Sequence, residues 1–147
     1  RLDSNVVPMP PPPPTKSSWW DLTPTLSRCK FCFCMENANV PFYVTEKILN
    51  AFRAGCIPIY YGTPGVLEIF NPKAFVYYDI KNAEAALEQV QYLASNETAY
   101  NQMLHHEPIL KDGQETLKQY FSFSETVGGG YLKHKIRSTM GLSLQQS

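Results

Sequence analysis

An α/β domain built on a parallel sheet is the fold class this sequence predicts. Three observations carry it. Short runs rich in aromatic, β-branched and small apolar residues alternate with helix-periodic runs: "KFCFCMEN", "VTEKILNAFRA", "CIPIYYG", "AFVYYD" and "NAEAALEQVQYLAS". The run "CIPIYYG" is apolar on both faces, as a central parallel strand is. The chain has 147 residues, 44% hydrophobic and 18% charged, which suits one globular domain of ordinary size with a real core.

Three segments are expected. Residues 1–27 read as a poorly ordered, proline-rich stretch. In "PMPPPPPT" proline fixes φ and donates no hydrogen bond, so the run is extended polyproline II. A spacer is the expected role, ahead of a ligand for a proline-recognition domain. "SSWWDLTP" offers a helical turn, with Ser18 as N-cap of a turn containing Asp21, and Trp19 and Trp20 docking on the core.

Residues 28–124 read as the ordered domain. "KFCFCMEN" is a short strand ending at Glu36-Asn37. "ANVPF" is a loop, because Pro41 disfavours helix at Val40. In the helix "VTEKILNAFRA", Ile48, Leu49, Ala51 and Phe52 form an inward face, and Gly55 is a natural C′ residue. "CIPIYYG" is the second strand; Pro58 inside it suggests a strand start or an irregular edge. "TPGVLEIF" is a turn and short helix, and "AFVYYD" a third strand. In "NAEAALEQVQYLAS" Ala86, Val90 and Leu93 share one face, with Leu87 beside them. "ETAYNQMLHHEPI" is a helix broken by Pro108, with helix continuing to Phe123. Residues 125–147 are the last segment: "VGGG" interrupts, and "YLKHKIRSTM" is a short helix before a loose tail.

Lysine plus arginine equals aspartate plus glutamate, 13 each, which gives no support to a nucleic-acid reader. No run reaches the roughly 18 apolar residues of a membrane span, and no signal peptide is visible. The chain opens on Arg1 rather than methionine, so a fragment or processed product is expected, whose parent has room for a membrane anchor upstream. Cys29, Cys32, Cys34 and Cys56 read first as buried structural thiols, then as a disulfide, and last as a zinc site. Cys29 and Cys32 have C-x-x-C spacing but no second pair follows, and Phe31 and Phe33 alternate with Cys32 and Cys34 as in a strand. His105 and His106 sit mid-helix and are expected at the surface. Asn96-Glu97-Thr98 is a glycosylation sequon.

In a parallel α/β sheet, ligands bind at the carboxyl ends of the strands, where helix N-termini also point. Three features converge there: Glu36-Asn37 closes the first strand, Glu46-Lys47 opens the next helix, and Gly62-Thr63 closes the second strand. A helix N-terminus suits a phosphate, and a lysine in the first turn makes sense if an anion lies between it and the helix end. An adjacent carboxylate can accept from ribose hydroxyls. From spacing alone, a solvated acid–base pair is the competing reading.

The stretch "FCMENANVPFYVTEKILNAFRAGCIPIYYGTPGVLEIFNPKAFVYYDI" resembles the signature region of the α1,3/4-fucosyltransferases, glycosyltransferase family ten. That family has a strand ending in F-E-N, a variable loop, then Y-V-T-E-K opening a helix, followed by a P-[IV]-[YV]-x-G strand. Here Met35 replaces the F-E-N phenylalanine, "YVTEK" is intact from Tyr43 to Lys47, and "NPKAFV" and "AYNQML" also fit. The similarity covers about residues 28 to 112; the proline run resembles nothing in the family. The resemblance implies a Rossmann-like parallel sheet with flanking helices, the C-terminal half of a GT-B glycosyltransferase, which holds the GDP-fucose donor. By motif position Lys47 contacts the diphosphate, Glu46 and Tyr43 contact ribose or phosphate, Asn37 joins them, and Glu36 lies near the donor. The family's catalytic base, a carboxylate, belongs to the N-terminal half, so no catalytic residue is placed here; the family's donor arginine is likewise unmatched.

The implied reaction is inverting transfer of fucose from GDP-fucose to an acceptor-glycan hydroxyl, an α1,3-linkage, with no cofactor and no metal ligand set. This chain alone is expected to be inactive. A non-catalytic nucleotide-sugar-binding module is the alternative, and a structural domain presenting the proline run is a third reading. The expected location is the lumenal side of a Golgi membrane in a eukaryote, or the cytoplasm or membrane surface in a bacterium.

Overall fold

The computed structural model describes residues 22–122, 135, 136 and 138–140. The proline run, Ser18, Trp19, Trp20, Asp21 and "VGGG" lie outside them, while Ile136 and its neighbours are helical where described. The order is α1 (Thr23–Leu26), β1 (Phe31–Met35), α2 (Glu46–Ala54), β2 (Ile57–Tyr61), α3 (Val66–Ile69) and β3 (Val76–Tyr77). A 3₁₀ turn (Ile80–Asn82) leads into α4 (Ala83–Ser95); α5 (Glu97–Asn101) and α6 (Gln114–Thr116) follow. The three strands form one parallel sheet in the order β1-β2-β3.

Strand alternation sorts the core into two layers. Cys32 and Cys34 of β1 and Tyr60 of β2 pack with Ile48 and Ala51 of α2, Val66 of α3, Phe70 and Phe75. On the other face Ile57, Ile59 and Val76 meet Ala86 and Leu93 of α4 and Tyr100 of α5. Burial of both faces is why β2 carries no alternation in its sequence. At the end of α2, Gly55 takes the left-handed conformation (φ 74°), where a Cβ would be unfavourable, and closes the helix as its C′ position predicts.

Several expectations change. Leu49 and Leu87 are 40% and 57% exposed, so the buried stripes are narrower than the periodicity suggests. Short helices lie tangentially on a three-stranded sheet, and only the central positions of each stripe reach it. The third strand pairs over two residues alone. Pro58 is neither a strand start nor at an edge: it is buried inside the central strand. The ladder explains why. Odd-numbered residues of β2 bond to β1, as when the Ile57 N–H donates to the Lys30 carbonyl (3.0 Å), whereas Tyr60 faces β3 and accepts from the Tyr78 N–H (2.8 Å). The missing N–H of Pro58 therefore points towards β3, opposite a stretch where that strand has not yet begun, since its pairing starts at Ile59 with Val76. Past α5 the helix widens into a π-turn (Gln102–His106) before Pro108, which leaves His105 and His106 exposed. A second π-turn (Leu117–Phe121) extends α6.

The cysteines are corrected too. Cys32 and Cys56 form a disulfide with Cα atoms 6.1 Å apart, and Cys29 and Cys34 are free. Cys32 lies opposite Pro58 in the ladder, so Cys56, just ahead of β2, comes within bridging range of it. Only the strand pairing brings these two together. Cys34 is buried, and its thiol is pushed up to about 12 by that burial first and by the nearby Glu36 charge second, against an opposing contribution from Lys47. A thiol held protonated is a poor nucleophile. Native, unreduced protein treated with iodoacetamide at pH 8 is therefore expected to be modified at Cys29 alone. Unfolding without reductant should add Cys34, and reductant should add Cys32 and Cys56. Peptide mass mapping that finds Cys56 modified before reduction would remove the disulfide.

Candidate functional site

The site grows from the carboxyl ends of β1 and β2. Pairing runs one residue past β1: the Glu36 N–H donates to the Tyr61 carbonyl (2.9 Å). Strand alternation then sends the Glu36 side chain to the α2 face, where it is fully buried. Its carboxylate is enclosed by donors. The Thr45 N–H donates to Oε1 at 2.7 Å, the Thr45 hydroxyl lies 3.0 and 2.8 Å from the two oxygens, and Lys47 Nζ donates to Oε2 at 3.1 Å. A buried carboxylate needs such a shell, because burial without paired donors costs several kcal/mol.

Thr45 is the N-cap residue of α2, yet its hydroxyl makes no capping bond. It is turned inward to Glu36 and lies 3.3 Å from Lys47 Nζ. A threonine at this position would ordinarily satisfy an N–H of the first turn. Among the described residues no side chain caps α2, so its first N–H groups and the positive end of its dipole are available to an anion. Lys47 stands in the same turn, its side chain 31% exposed. The pairing partner of Lys47 is thus Glu36, eleven residues back, and not the adjacent Glu46.

The loop between β1 and α2 supplies the outer residues. Asn37 is exposed immediately after the buried Glu36, Tyr43 is partly exposed, and Glu46 is exposed as the first residue of α2. Phe42 bends this loop with φ 61°, a left-handed conformation rare for an aromatic residue. Tyr43, Glu46 and Lys47 lie within two residues of the N-cap Thr45, Asn37 follows the buried Glu36 at the end of β1, and Glu36 is tied to the helix start through Thr45 and Lys47. A side chain so enclosed offers no free surface to a ligand; its contact with the site runs through Thr45 and Lys47.

Gly62 closes β2 against this cluster. A Cβ there would lie 2.5 Å from the Tyr60 hydroxyl and 2.9 Å from Glu36 Cγ, so close approach demands glycine. Its carbonyl accepts from the Tyr77 hydroxyl at 3.1 Å. Tyr60 is buried below with its hydroxyl unpartnered. Burial first, then Glu36, Tyr77 and Cys34, hold that phenol far above its ordinary range, so it stays protonated. Thr45 and Tyr60 were not singled out by sequence reasoning. Thr45 carried a visible signal, threonine before a helix-opening acid, but that signal reads as a cap and not as a linker.

The profile described as glycosyltransferase family 10 (fucosyltransferase) C-term matches residues 14–128. The chain is 42% identical over 102 residues to alpha-(1,3)-fucosyltransferase FucT of Helicobacter pylori, covering 68% of this chain and 21% of that protein. It is 38% identical over 88 residues to alpha-(1,3)-fucosyltransferase B of Drosophila melanogaster, covering 58% of this chain and 20% of that protein. A crystal structure of alpha1,3-fucosyltransferase with GDP-fucose superposes with a TM-score of 0.54 at 44% identity, over 56% of this chain and 25% of that one. The chain thus spans about a fifth of the length of the curated relatives it matches. The expected fold stands: a Rossmann-like α/β sheet with helices on both faces, of the kind found in one half of a GT-B enzyme. By its family profile, its relatives and its fold, the chain belongs to glycosyltransferase family 10, the fucosyltransferases, and corresponds to the C-terminal region of that family.

Proposed function

We propose that this chain is the donor-binding portion of an inverting fucosyltransferase. GDP-fucose would lie across the carboxyl ends of β1 and β2, and fucose would pass to an acceptor-glycan hydroxyl in an α1,3-linkage. The observation that carries this reading is the open N-terminus of α2. Its capping threonine is turned away, its first N–H groups are uncapped, and Lys47 is held beside them by Glu36. A diphosphate leaving group gathers negative charge as the glycosidic bond breaks, and fixed dipoles plus a lysine stabilise that charge without reorganising. Tyr43 lies two residues ahead of the N-cap Thr45, Asn37 follows the buried Glu36, and the exposed Glu46 would accept from ribose hydroxyls. The base that deprotonates the acceptor is assigned to a carboxylate outside these 147 residues.

The chain on its own is expected to bind GDP weakly and not to transfer fucose. Orienting acceptor against donor supplies much of the rate, and that requires an acceptor site. Isothermal titration with GDP, beside a radiolabelled GDP-fucose assay with a lactosamine-type acceptor, tests this. Robust transfer would place a base inside the chain, to be sought first at Glu36 and Glu68, of which only Glu68 is exposed. Glu46→Gln is expected to weaken GDP and GDP-fucose alike, because both share the ribose; unchanged GDP affinity would move Glu46 off the nucleotide.

We propose the lumenal side of a Golgi membrane as the location if the source is eukaryotic, and the cytoplasm or membrane surface if it is bacterial. The Cys32–Cys56 disulfide supports an oxidising compartment, and the Asn96 sequon is partly exposed, at the start of α5. Expression through a secretory pathway should give a species whose mass falls on peptide N-glycosidase treatment. An Asn96→Gln variant with the same shift would reject Asn96 as the acceptor.

A further inference from the structure

We infer that Phe42 is a substrate-contact residue, its ring a platform for the apolar face of a pyranose. This role presupposes the donor site proposed above at the start of α2. The backbone gives the first reason. The Tyr43 N–H donates to the Val40 carbonyl (3.1 Å), closing a turn around Pro41 and Phe42. Pro41 suits the second position of such a turn. The third position, here with φ 61°, calls for glycine or asparagine. Phenylalanine stands there instead, and a bulky residue with positive φ is an outlier. The Val44 N–H donates to the Phe42 carbonyl at 3.0 Å, so backbone bonds on either side hold the conformation.

The core gains nothing from this strain. Phe42 is 72% exposed, and it belongs to neither apolar layer of the domain. Strained backbone of this kind clusters at active sites and ligand clamps, where the surrounding structure over-determines it. Its place in the fold agrees. Phe42 is three residues ahead of the N-cap Thr45. A Cβ built on Gly65, the residue before α3, would lie 3.6 Å from Phe42 Cδ1. The ring therefore lies beside the start of α3, on the loop that leads into α2.

The chemistry of the ring names its ligand. The exposed Asn37, Tyr43 and Glu46 offer partners to hydroxyls and phosphates. Phe42 offers a flat apolar face with the negative side of a π quadrupole. In a glycosyl-transfer complex the matching part is a pyranose, because one face of its ring presents C–H groups that are apolar and slightly positive. A turn set in advance also holds the phenyl ring in place before the ligand arrives, which lowers the ordering cost of binding. The transferred fucose and the acceptor sugar both carry such a face, and kinetics separate the two.

The test uses a chimera in which the matched stretch of this chain replaces its counterpart in the H. pylori relative. Phe42→Ala should raise KM roughly 5- to 10-fold for GDP-fucose or for a lactosamine-type acceptor and leave GDP affinity unchanged. Phe42→Tyr should restore KM. A rise for GDP-fucose assigns the ring to fucose; a rise for the acceptor assigns it to the acceptor sugar. In the full chain, Phe42→Gly should raise the melting temperature by roughly 2–8 °C, because it relieves the left-handed conformation and removes no buried contact. Unchanged KM values would overturn the inference, and a lowered melting temperature beside them would make Phe42 a packing residue. A loss of GDP affinity as large as that of GDP-fucose would also overturn it, by placing the ring on guanine. Lys47→Ala in the same chimera keeps the two readings apart. If it is inactive while Phe42→Ala is normal, the platform alone fails. If it turns over normally, the donor site fails and the platform with it.

Discussion

Replacing Lys47 with alanine is expected to abolish fucosyl transfer in a polypeptide that supplies the rest of the enzyme, such as a chimera in which the matched stretch of this chain replaces its counterpart in the H. pylori relative. Losing a charge-assisted contact to a diphosphate costs about 1.5–3 kcal/mol, or roughly 10- to 150-fold in GDP affinity. The loss in transfer should be larger, because the leaving group is more charged in the transition state than in the bound donor. The structure adds a complication. Lys47 is also the cation that pairs with the buried Glu36, so its removal leaves a carboxylate with only the two Thr45 donors. Some loss of stability should accompany the loss of activity. Lys47→Arg separates the two effects: the pair with Glu36 survives, while the diphosphate contact moves. Near-normal turnover of a folded Lys47→Ala chimera would remove Lys47 from the donor site.

Glu36→Ala is expected to be the most damaging single change to the fold near this site. It orphans the Thr45 N–H and hydroxyl inside the protein and releases Lys47. Leaving buried hydrogen-bonding groups unpaired costs about 1–3 kcal/mol, and in a domain of about 100 residues that lowers the melting temperature by roughly 4–8 °C per kcal/mol. Glu36→Gln keeps the shape and should cost less. A double-mutant cycle on GDP affinity decides how Glu36 acts. If it works by holding Lys47, Glu36→Gln combined with Lys47→Ala should bind GDP no worse than Lys47→Ala alone. Additive losses would give Glu36 an independent contact with the donor.

The sequence by itself determined the class of fold and where a site had to be sought. The change of period between "KFCFC" and "EKILNAF", the two-sided apolarity of β2 and the glycine after α2 are local properties, written in neighbouring residues, and all are seen in the structure. Tyr43, Glu46 and Lys47 stand together at the start of α2 through the same local order. Tertiary structure decided the rest, because the rest depends on pairing between segments distant in sequence. The Cys32–Cys56 bridge and the tolerance of Pro58 both follow from the strand register, which no single segment encodes. Glu36 is the clearest case. As a residue at a strand end it could have faced solvent beside Asn37. The extra hydrogen bond to Tyr61 instead carries the strand alternation one residue further and turns the carboxylate inward. Once buried, it needs Thr45 and Lys47 as donors, and by drawing them in it leaves the first N–H groups of α2 uncapped.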